Sequence, residues 1–282
     1  MRGLGLAITA MMVLAYGCTR LAEQQFDTMT EAPCRLASFV GGNHVEVLSD
    51  GPRIENALLD AVAGASDSVN LETYILAADD VGTRLADALI AARRRGVTVN
   101  LMYDSFGSHE LGDDFLQRLR AAGVVTLEFN PLNPLLARGA WRPNNRDHRK
   151  LMVVDGSTAI LGGANIRRPD RIHLKSQWRD TDILIAGPVV ADFQDLFIKS
   201  WLAQSGDRLP AAAYYPLLRP VGDQEVWALG EGPDSNNIYS ALVAAIGAAQ
   251  MTVHLTTPYF APDPTLLRAI SRRLAGASTW HS

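Results

Sequence analysis

Short apolar runs rich in β-branched residues alternate with amphipathic stretches along most of the chain. The runs predict strands, and the stretches, whose apolar residues recur at helical spacing, predict helices. One such stretch carries Leu85 and Leu89 on one face and ends in three arginines and a glycine, as helix C-termini often do. Strands alternating with helices indicate parallel βαβ units. The predicted strands are His44–Leu48, Val69–Ile75, Val97–Tyr103 and Val124–Phe129, and the predicted helices are Ile54–Ala63, Val81–Arg95 and Asp113–Ala122.

Part of this pattern occurs twice. Residues 57–73 and 241–257 are identical at seven of 17 aligned positions, and the second copy continues into another helical stretch at Pro264–Leu274. The same order of turn, helix, strand and helix predicts an internal duplication. The last residues lack the apolar run that follows Arg95 in the first copy. We therefore expect a complete domain at residues 43–205 and an incomplete second domain at residues 206–282.

The first residues have the composition of a targeting segment. A positively charged start precedes an apolar run from Leu4 to Tyr16, which is shorter than the 18 or so residues of a confident membrane-spanning helix. The sequence Leu14–Cys18 resembles a bacterial lipoprotein signal. We predict that residues 1–18 are a signal peptide with Cys18 as the lipidation site, or alternatively an uncleaved anchor. Either interpretation predicts a membrane-associated protein of the bacterial cell envelope.

Composition and charge narrow the function classes. With 48% hydrophobic residues the chain can bury a core, and two cysteines cannot build a disulfide framework or a four-cysteine zinc site. The 26 basic and 30 acidic residues leave a net charge of -4, which argues against a general nucleic-acid-binding protein. Only three of the basic residues are lysines, so the chain uses arginine by default.

The densest group of polar residues lies between the two copies and leads into a predicted hairpin. Two apolar runs, residues 151–154 and 158–161, flank an Asp-Gly pair, which is typical of a β-hairpin turn. Alternation along the first of these strands places His148 and Lys150 on the same face. Because lysine is rare in this chain, its presence at position 150 indicates a specific role.

These residue types suit chemistry at phosphorus. A neutral imidazole can attack phosphorus, and Lys150 and Asn165 can hold phosphate oxygens and stabilise the charge that develops. Asp155 can orient the histidine or neutralise the lysine, while Gly162 and Gly163 permit close approach of the backbone. The alternative is a structural hairpin with a surface histidine and lysine. The sequence near these residues has no further metal-type cluster, so we expect no metal and no cofactor.

The spacing of these residues resembles the signature of the phospholipase D superfamily, and the surroundings resemble its bacterial cardiolipin synthase branch. The segments that carry the likeness are NLETYIL at 70–76, RRRGVTVNLMYDSFGS at 93–108, DHRKLMVVDG at 147–156 and WRDTDILIAGPVV at 178–190. The resemblance implies an α/β fold, a phospholipase D-like α/β/α sandwich with one complete half and a partial second half. It also implies transfer of a phosphatidyl group through a phosphohistidine, with a second histidine as acid and base.

The resemblance assigns a role to each residue of the signature. His148 is implied as nucleophile or acid/base, Lys150 and Asn165 as phosphate ligands, and Asp155 as the orienting carboxylate. Gly162 and Gly163 are expected to let the phosphate approach the backbone. Glu72 and Asp104 lie at strand ends that could face the site, but we do not include them among the predicted site residues.

One departure from the branch affects the expected activity. Its members carry the signature twice, whereas a second histidine at the same offset would fall at position 332, beyond the last residue. We therefore expect a truncated cardiolipin synthase-type phosphatidyltransferase with impaired activity, whose site a homodimer would complete. The alternatives are a phospholipase D hydrolase, a single-signature nuclease acting as a homodimer, and an inactive membrane-tethered remnant. The expected partners are phosphatidylglycerol or a similar phospholipid, a membrane and a second copy of the chain, but not nucleic acid.

Overall fold

A computed structural model of the chain describes residues 39–136, 142–168, 180–205, 209, 214–231, 236–257 and 260–274. Within these ranges the chain divides into two compact units, one reaching Ala228 and the other beginning at Leu229. The predictions for residues 1–18, including lipidation of Cys18, lie outside the described residues. No helix in the described ranges is both long and apolar enough to span a bilayer.

The described residues of the first unit form eight strands and four helices. The strands are β1 (Val40–Leu48), β2 (Ser68–Thr73), β3 (Thr98–Asp104), β4 (Val125–Phe129), β5 (Leu151–Val154), β6 (Thr158–Gly162), β7 (Asp182–Ala186) and β8 (Gln224–Val226). The helices are α1 (Gly51–Gly64), α2 (Asp80–Arg94), α3 (Asp113–Ala121) and α4 (Val190–Ser205). Of these elements, β1 to β6 and α1 to α3 match the predicted elements closely. Asp50 and Asp79 begin α1 and α2 by accepting hydrogen bonds from the backbone amides of Arg53 and Gly82.

All eight strands form one mixed sheet in the order β4-β3-β2-β5-β6-β7-β1-β8. The predicted parallel pairing holds for β2, β3 and β4. It does not extend to β1, which lies antiparallel to β7 and β8, or to the antiparallel strands β5, β6 and β7. The hairpin predicted from the Asp-Gly pair is present as β5 and β6, with Asp155 and Gly156 both at positive φ.

The sheet has helices on both faces. Helices α1, α2 and α3 pack on one face over a core that includes Val69, Leu101 and Met152. Helix α4 packs on the other face, where Phe197 and Trp201 lie against Val153 and its neighbours. Strands β2 and β3 are buried on both faces because alternate side chains enter the two cores. The predicted α/β/α sandwich is therefore confirmed.

In the part of the second unit that the structure describes there are two helices, α5 (Asn237–Ala248) and α6 (Pro264–Leu274). Both occupy the positions predicted from the internal repeat, and the Tyr239 hydroxyl donates a hydrogen bond to the Asp263 carboxylate. The repeat also predicts a strand before α6, but residues 251–257 are not a strand. That prediction is wrong: the apolar pattern is present, but these residues pair with no strand within the described ranges, and a strand requires a hydrogen-bonded partner.

Candidate active site

The candidate site lies at the end of the central strands, where β2 and β3 end and β5 begins. We call this end of the sheet the site edge; the term does not refer to the outer strands. Strand β5 is antiparallel to β2, with Leu151 opposite Glu72. The residues that precede β5 therefore reach the same edge as those that follow β2. This arrangement brings His148 close to Tyr74, and their ring centroids are 4.5 Å apart.

His148 and Lys150 contact each other directly, as their alternation along the chain predicts. Lys150 Nζ lies 3.2 Å from His148 Nδ1 and donates a hydrogen bond of 2.7 Å to the His148 carbonyl oxygen. The same ammonium group lies 5.2 Å from the centroid of the Tyr74 ring. The aromatic ring of Tyr74 thus supports both side chains of the signature.

Burial shifts the pKa values of both groups toward their neutral forms. Desolvation, followed by the charge of Lys150, lowers the pKa of His148 to about 4. Desolvation also lowers the pKa of Lys150 to about 8, against the attraction of surrounding carboxylates that include Asp147 and Asp182. At pH 7 the imidazole is therefore neutral while the lysine keeps its charge. A neutral imidazole beside a cation is suited to attack on an anionic phosphodiester.

Asn165 reaches the same edge through the segment that follows β6. Its Oδ1 accepts a hydrogen bond of 3.2 Å from the Ile75 amide, one residue beyond Tyr74. The next residue, Ile166, exchanges backbone hydrogen bonds with Ile75 and Ala77. With Oδ1 held in this way, the side-chain NH₂ group of Asn165 is its remaining donor. The structure thus brings His148, Lys150 and Asn165 to one edge of the sheet.

Asp182 is a site residue that the sequence analysis missed. It is 3% exposed, and its Oδ1 accepts a hydrogen bond from the Ala164 amide. Burial raises its pKa to about 6, and Lys150 opposes that shift. The sequence does show that Asp182 begins an apolar run, which forms β7. The pairing of β7 with β6, which brings Asp182 to the site, could not be predicted from the local pattern alone.

The position of Asp182 gives the two glycines a role in packing. A Cβ on Gly162 would lie 2.2 Å from Oδ1 and 2.5 Å from Cα of Asp182, so this aspartate fills the space that Gly162 leaves. The Gly163 amide donates to the carbonyl oxygen of Thr181. Both glycines therefore serve the close approach of β7, and the approach of a phosphate to their backbone stays a prediction.

Asp155 lies at the opposite edge of the sheet from His148, across the length of β5. Its carboxylate accepts hydrogen bonds of 2.8–2.9 Å from three consecutive amides, those of Ser66, Asp67 and Ser68, and from the Ser66 hydroxyl. These bonds lower its pKa although burial opposes them. The expectation that Asp155 orients the histidine is wrong, because its carboxylate is committed to the loop between α1 and β2.

Two other buried carboxylates contact the residues around the signature. Asp104 accepts hydrogen bonds from the amides of Phe106, Gly107 and Asp147, which fixes the residue before His148. Glu72 lies 3.1 Å from the Arg149 guanidinium, and burial raises the Glu72 pKa well above its ordinary value.

Arg149 connects the signature segment to helix α4 on the other face of the sheet. Besides Glu72, its guanidinium contacts Asp147 and donates a hydrogen bond to the Ser200 hydroxyl on α4. The segment that carries His148 and Lys150 is therefore anchored from the opposite face of the sheet.

The fold is shared with a solved structure. Phosphatidylserine synthase from Haemophilus influenzae matches 82% of this chain and 59% of its own, with a TM-score of 0.56 at 14% identity. The sandwich together with the paired His148 and Lys150 defines the chain as a phospholipase D-like protein. The family model described as the PLD-like domain of cardiolipin synthase matches residues 58–201. The chain belongs to this family.

Curated relatives agree with this assignment. The cardiolipin synthase of Geobacillus thermodenitrificans is 34% identical over 247 residues, which cover 84% of this chain and 47% of the relative. The major cardiolipin synthase ClsA of Bacillus subtilis is 34% identical over 243 residues, which cover 83% of this chain and 49% of that protein. The chain spans about half the length of these relatives.

Proposed function

We propose that this chain is a phosphatidyltransferase of the cardiolipin synthase type that acts through a phosphohistidine at His148. The observation that carries the proposal is the neutral imidazole of His148 held 3.2 Å from the charged amine of Lys150. The family to which the chain belongs supports a phospholipid substrate, and we take phosphatidylglycerol as that substrate.

The first half of the proposed reaction forms a bond to the histidine. A lone pair of the His148 imidazole attacks the phosphorus of phosphatidylglycerol, and a P–N bond forms while the bond from phosphorus to the head-group glycerol oxygen breaks. That oxygen takes a proton from an acid and leaves as free glycerol. Lys150 and the NH₂ group of Asn165 hold the non-bridging oxygens, where negative charge develops.

The second half transfers the phosphatidyl group. The head-group hydroxyl of a second phosphatidylglycerol attacks phosphorus and gives its proton to the former acid, which now acts as a base. The P–N bond breaks, and its electron pair returns to the imidazole. The products of the two halves are one cardiolipin and one glycerol.

The family resemblance implies a second histidine as the acid and base of this scheme. We propose that a second copy of the chain supplies it, so that two His148 side chains meet across a homodimer. A pKa lowered to about 4 suits the nucleophile, because the imidazole is then neutral at pH 7. The acid would need a higher pKa, which a partner carboxylate or the bound phosphate could raise. Because the substrate is a bilayer lipid, the enzyme would work at a membrane surface.

The proposal is tested by incubating the purified protein with phosphatidylglycerol labelled in its head-group glycerol, over a range of protein concentrations. We expect glycerol release together with cardiolipin formation, with a specific activity that rises as dimers form. His148→Ala should lower transfer by about 10³-fold or more, as loss of a nucleophile does. His44→Ala, an exposed histidine on β1, serves as the matched control.

Each outcome of this assay separates the candidate functions. Cardiolipin formation that survives His148→Ala would contradict the proposal. Glycerol release with phosphatidic acid in place of cardiolipin would identify a hydrolase. The hydrolase would use the same nucleophile with water as the acceptor.

A further inference from the structure

Four large apolar side chains are exposed on two neighbouring loops at the site edge. Phe106, in the loop after β3, is 54% exposed, and three leucines after β4 are 46%, 90% and 62% exposed at positions 132, 135 and 136. We call these four residues the apolar rim. Exposed apolar side chains are common singly, but a group of them beside a site indicates a binding surface.

Hydrogen bonds hold the two loops of the rim together. The Ser105 hydroxyl accepts a bond of 3.0 Å from the Leu132 amide, and the Ser105 amide donates to the carbonyl oxygen of Phe129. A short 3₁₀ turn over Pro134–Leu136 follows, in which the Asn133 side chain accepts a bond from the Leu135 amide. The leucines are therefore presented by a backbone with defined hydrogen bonds.

The apolar rim borders the residues of the signature. The Asp104 carboxylate that binds the Phe106 and Gly107 amides also binds the Asp147 amide, next to His148. Gly107 packs so closely on Tyr74 that a Cβ would lie 2.2 Å from the Tyr74 carbonyl oxygen. Because the Tyr74 ring contacts His148, the rim and the histidine belong to one edge of the sheet.

A basic residue accompanies the rim. Asn130, between β4 and the leucines, donates hydrogen bonds through its side chain to the carbonyl oxygens of Arg142 and Asn145. Arg142 is exposed. Apolar side chains that enter the acyl region together with an arginine at head-group level are typical of segments that bind a bilayer surface.

We propose that the apolar rim inserts into the interfacial layer of a phospholipid bilayer and thereby turns His148 toward the lipid phosphates. The inference rests on the proposed function, because a site for phosphatidyl transfer must meet its substrate at the bilayer. The surface of contact is formed by Phe106, Leu132, Leu135 and Leu136.

The test uses the full chain with both cysteines replaced, Cys18→Ser and Cys34→Ser, and one new cysteine that carries an environment-sensitive fluorophore. The label is placed by Leu135→Cys at the rim or by Leu217→Cys as the matched control. Leu217 is 91% exposed and adjoins Pro216, which packs on Gly156 at the opposite edge of the sheet. The probe is a vesicle of phosphatidylglycerol and phosphatidylcholine, with and without bromine atoms on the acyl chains.

We expect brominated lipid to quench the label at position 135 about twofold, since interfacial segments lie about 5–10 Å deep, and to leave the label at position 217 unchanged. Attachment through the N-terminal residues alone would not immerse position 135. Quenching at neither position, or equally at both, would overturn the proposal. So would burial of the position-135 label in the absence of lipid, which would indicate that a second copy covers the rim.

Failure of this inference can be told apart from failure of the proposed function. Insertion does not require turnover, so a labelled chain that also carries His148→Ala should be quenched as strongly as the chain with His148. Strong quenching without any phosphatidyl transfer by the unsubstituted chain would count against the proposed function alone.

Discussion

Lys150 is buried beside His148, and burial shifts both side chains toward their neutral forms. The pKa of His148 falls to about 4 and that of Lys150 to about 8. Between these two values the imidazole is neutral and the amine is charged, which is the combination that attack on a phosphodiester needs. The buried carboxylate of Asp182 is one of the groups that keep Lys150 charged, since its own pKa of about 6 leaves it ionised at neutral pH.

Substitution of Asp182 should therefore move the titration of Lys150. Asp182→Asn keeps an oxygen to accept the Ala164 hydrogen bond but removes the negative charge, so we expect the pKa of Lys150 to fall below its value of about 8. With only three lysines in the chain, NMR of ¹³Cε-labelled lysine resolves the signal, and its loss in Lys150→Arg assigns it.

Asp60→Asn, an exposed change on α1, is the control and should leave this titration in place. An unchanged Lys150 titration in Asp182→Asn would contradict the role of Asp182. A Lys150 that titrates near the ordinary lysine pKa in the unsubstituted chain would contradict the buried site itself.

Some residues of the site follow from sequence and others do not. The proximity of His148 and Lys150 was predicted from alternation, a local property, although both residues lie just before β5. Tyr74 and Asp182 reach the lysine only because β5 pairs with β2 and β6 pairs with β7. Contacts between residues so far apart along the chain depend on tertiary structure, which local pattern does not encode.

At the scale of elements, Asp155 joins the β5–β6 hairpin to the loop between α1 and β2. The turn was predictable, because an Asp-Gly pair between two apolar runs favours positive φ at both residues. The function of the carboxylate was not predictable, because its partners, Ser66 to Ser68, lie almost 90 residues earlier in the chain. The signature aspartate thus has a structural role in this fold.

The stability of the chain should depend on this carboxylate in a pH-dependent way. Its folded pKa is lowered, so the contribution to the free energy of unfolding is full above the unfolded pKa and is lost as pH falls through the folded pKa. Asp155→Asn should cost about 1–2 kcal/mol at pH 7, since hydrogen bonds to a charged group are replaced by neutral ones. The difference should shrink at acid pH.

Thermal and urea unfolding at pH 7 and at pH 3 measure this effect, again with Asp60→Asn as the control. A destabilisation of equal size at both pH values would show that the charge of Asp155 is not the cause. No destabilisation at pH 7 would contradict the structural role.

The pairing of the strands could not be predicted from the sequence. The alternation of strands and helices correctly predicted β1 to β4 and α1 to α3. It did not predict that β1 pairs with β7 and β8. Residues 251–257 carry the strand pattern of the repeat without forming a strand in the structure. Apolar alternation reports a tendency to pair, whereas the partner is decided by the rest of the fold.

At the scale of the whole molecule, the unit that ends at Ala228 is the scaffold that positions the side chains of the site. The mixed sheet between two helical layers places His148, Lys150 and Asn165 at this edge, and the apolar rim borders the same edge. The chain belongs to the family described by the PLD-like domain of cardiolipin synthase and spans about half the length of its curated relatives. In the mechanism proposed above, the second histidine comes from another copy of the chain.

The most direct test of the account is to trap the intermediate. Protein quenched with alkaline denaturant during turnover of phosphatidylglycerol, because phosphohistidine is labile in acid, is digested and analysed by mass spectrometry. We predict that the peptide containing His148 carries the added mass of a phosphatidyl group, and that His148→Ala shows neither the adduct nor turnover. Turnover in His148→Ala at the rate of the unsubstituted chain, or an adduct on another residue, would contradict the account.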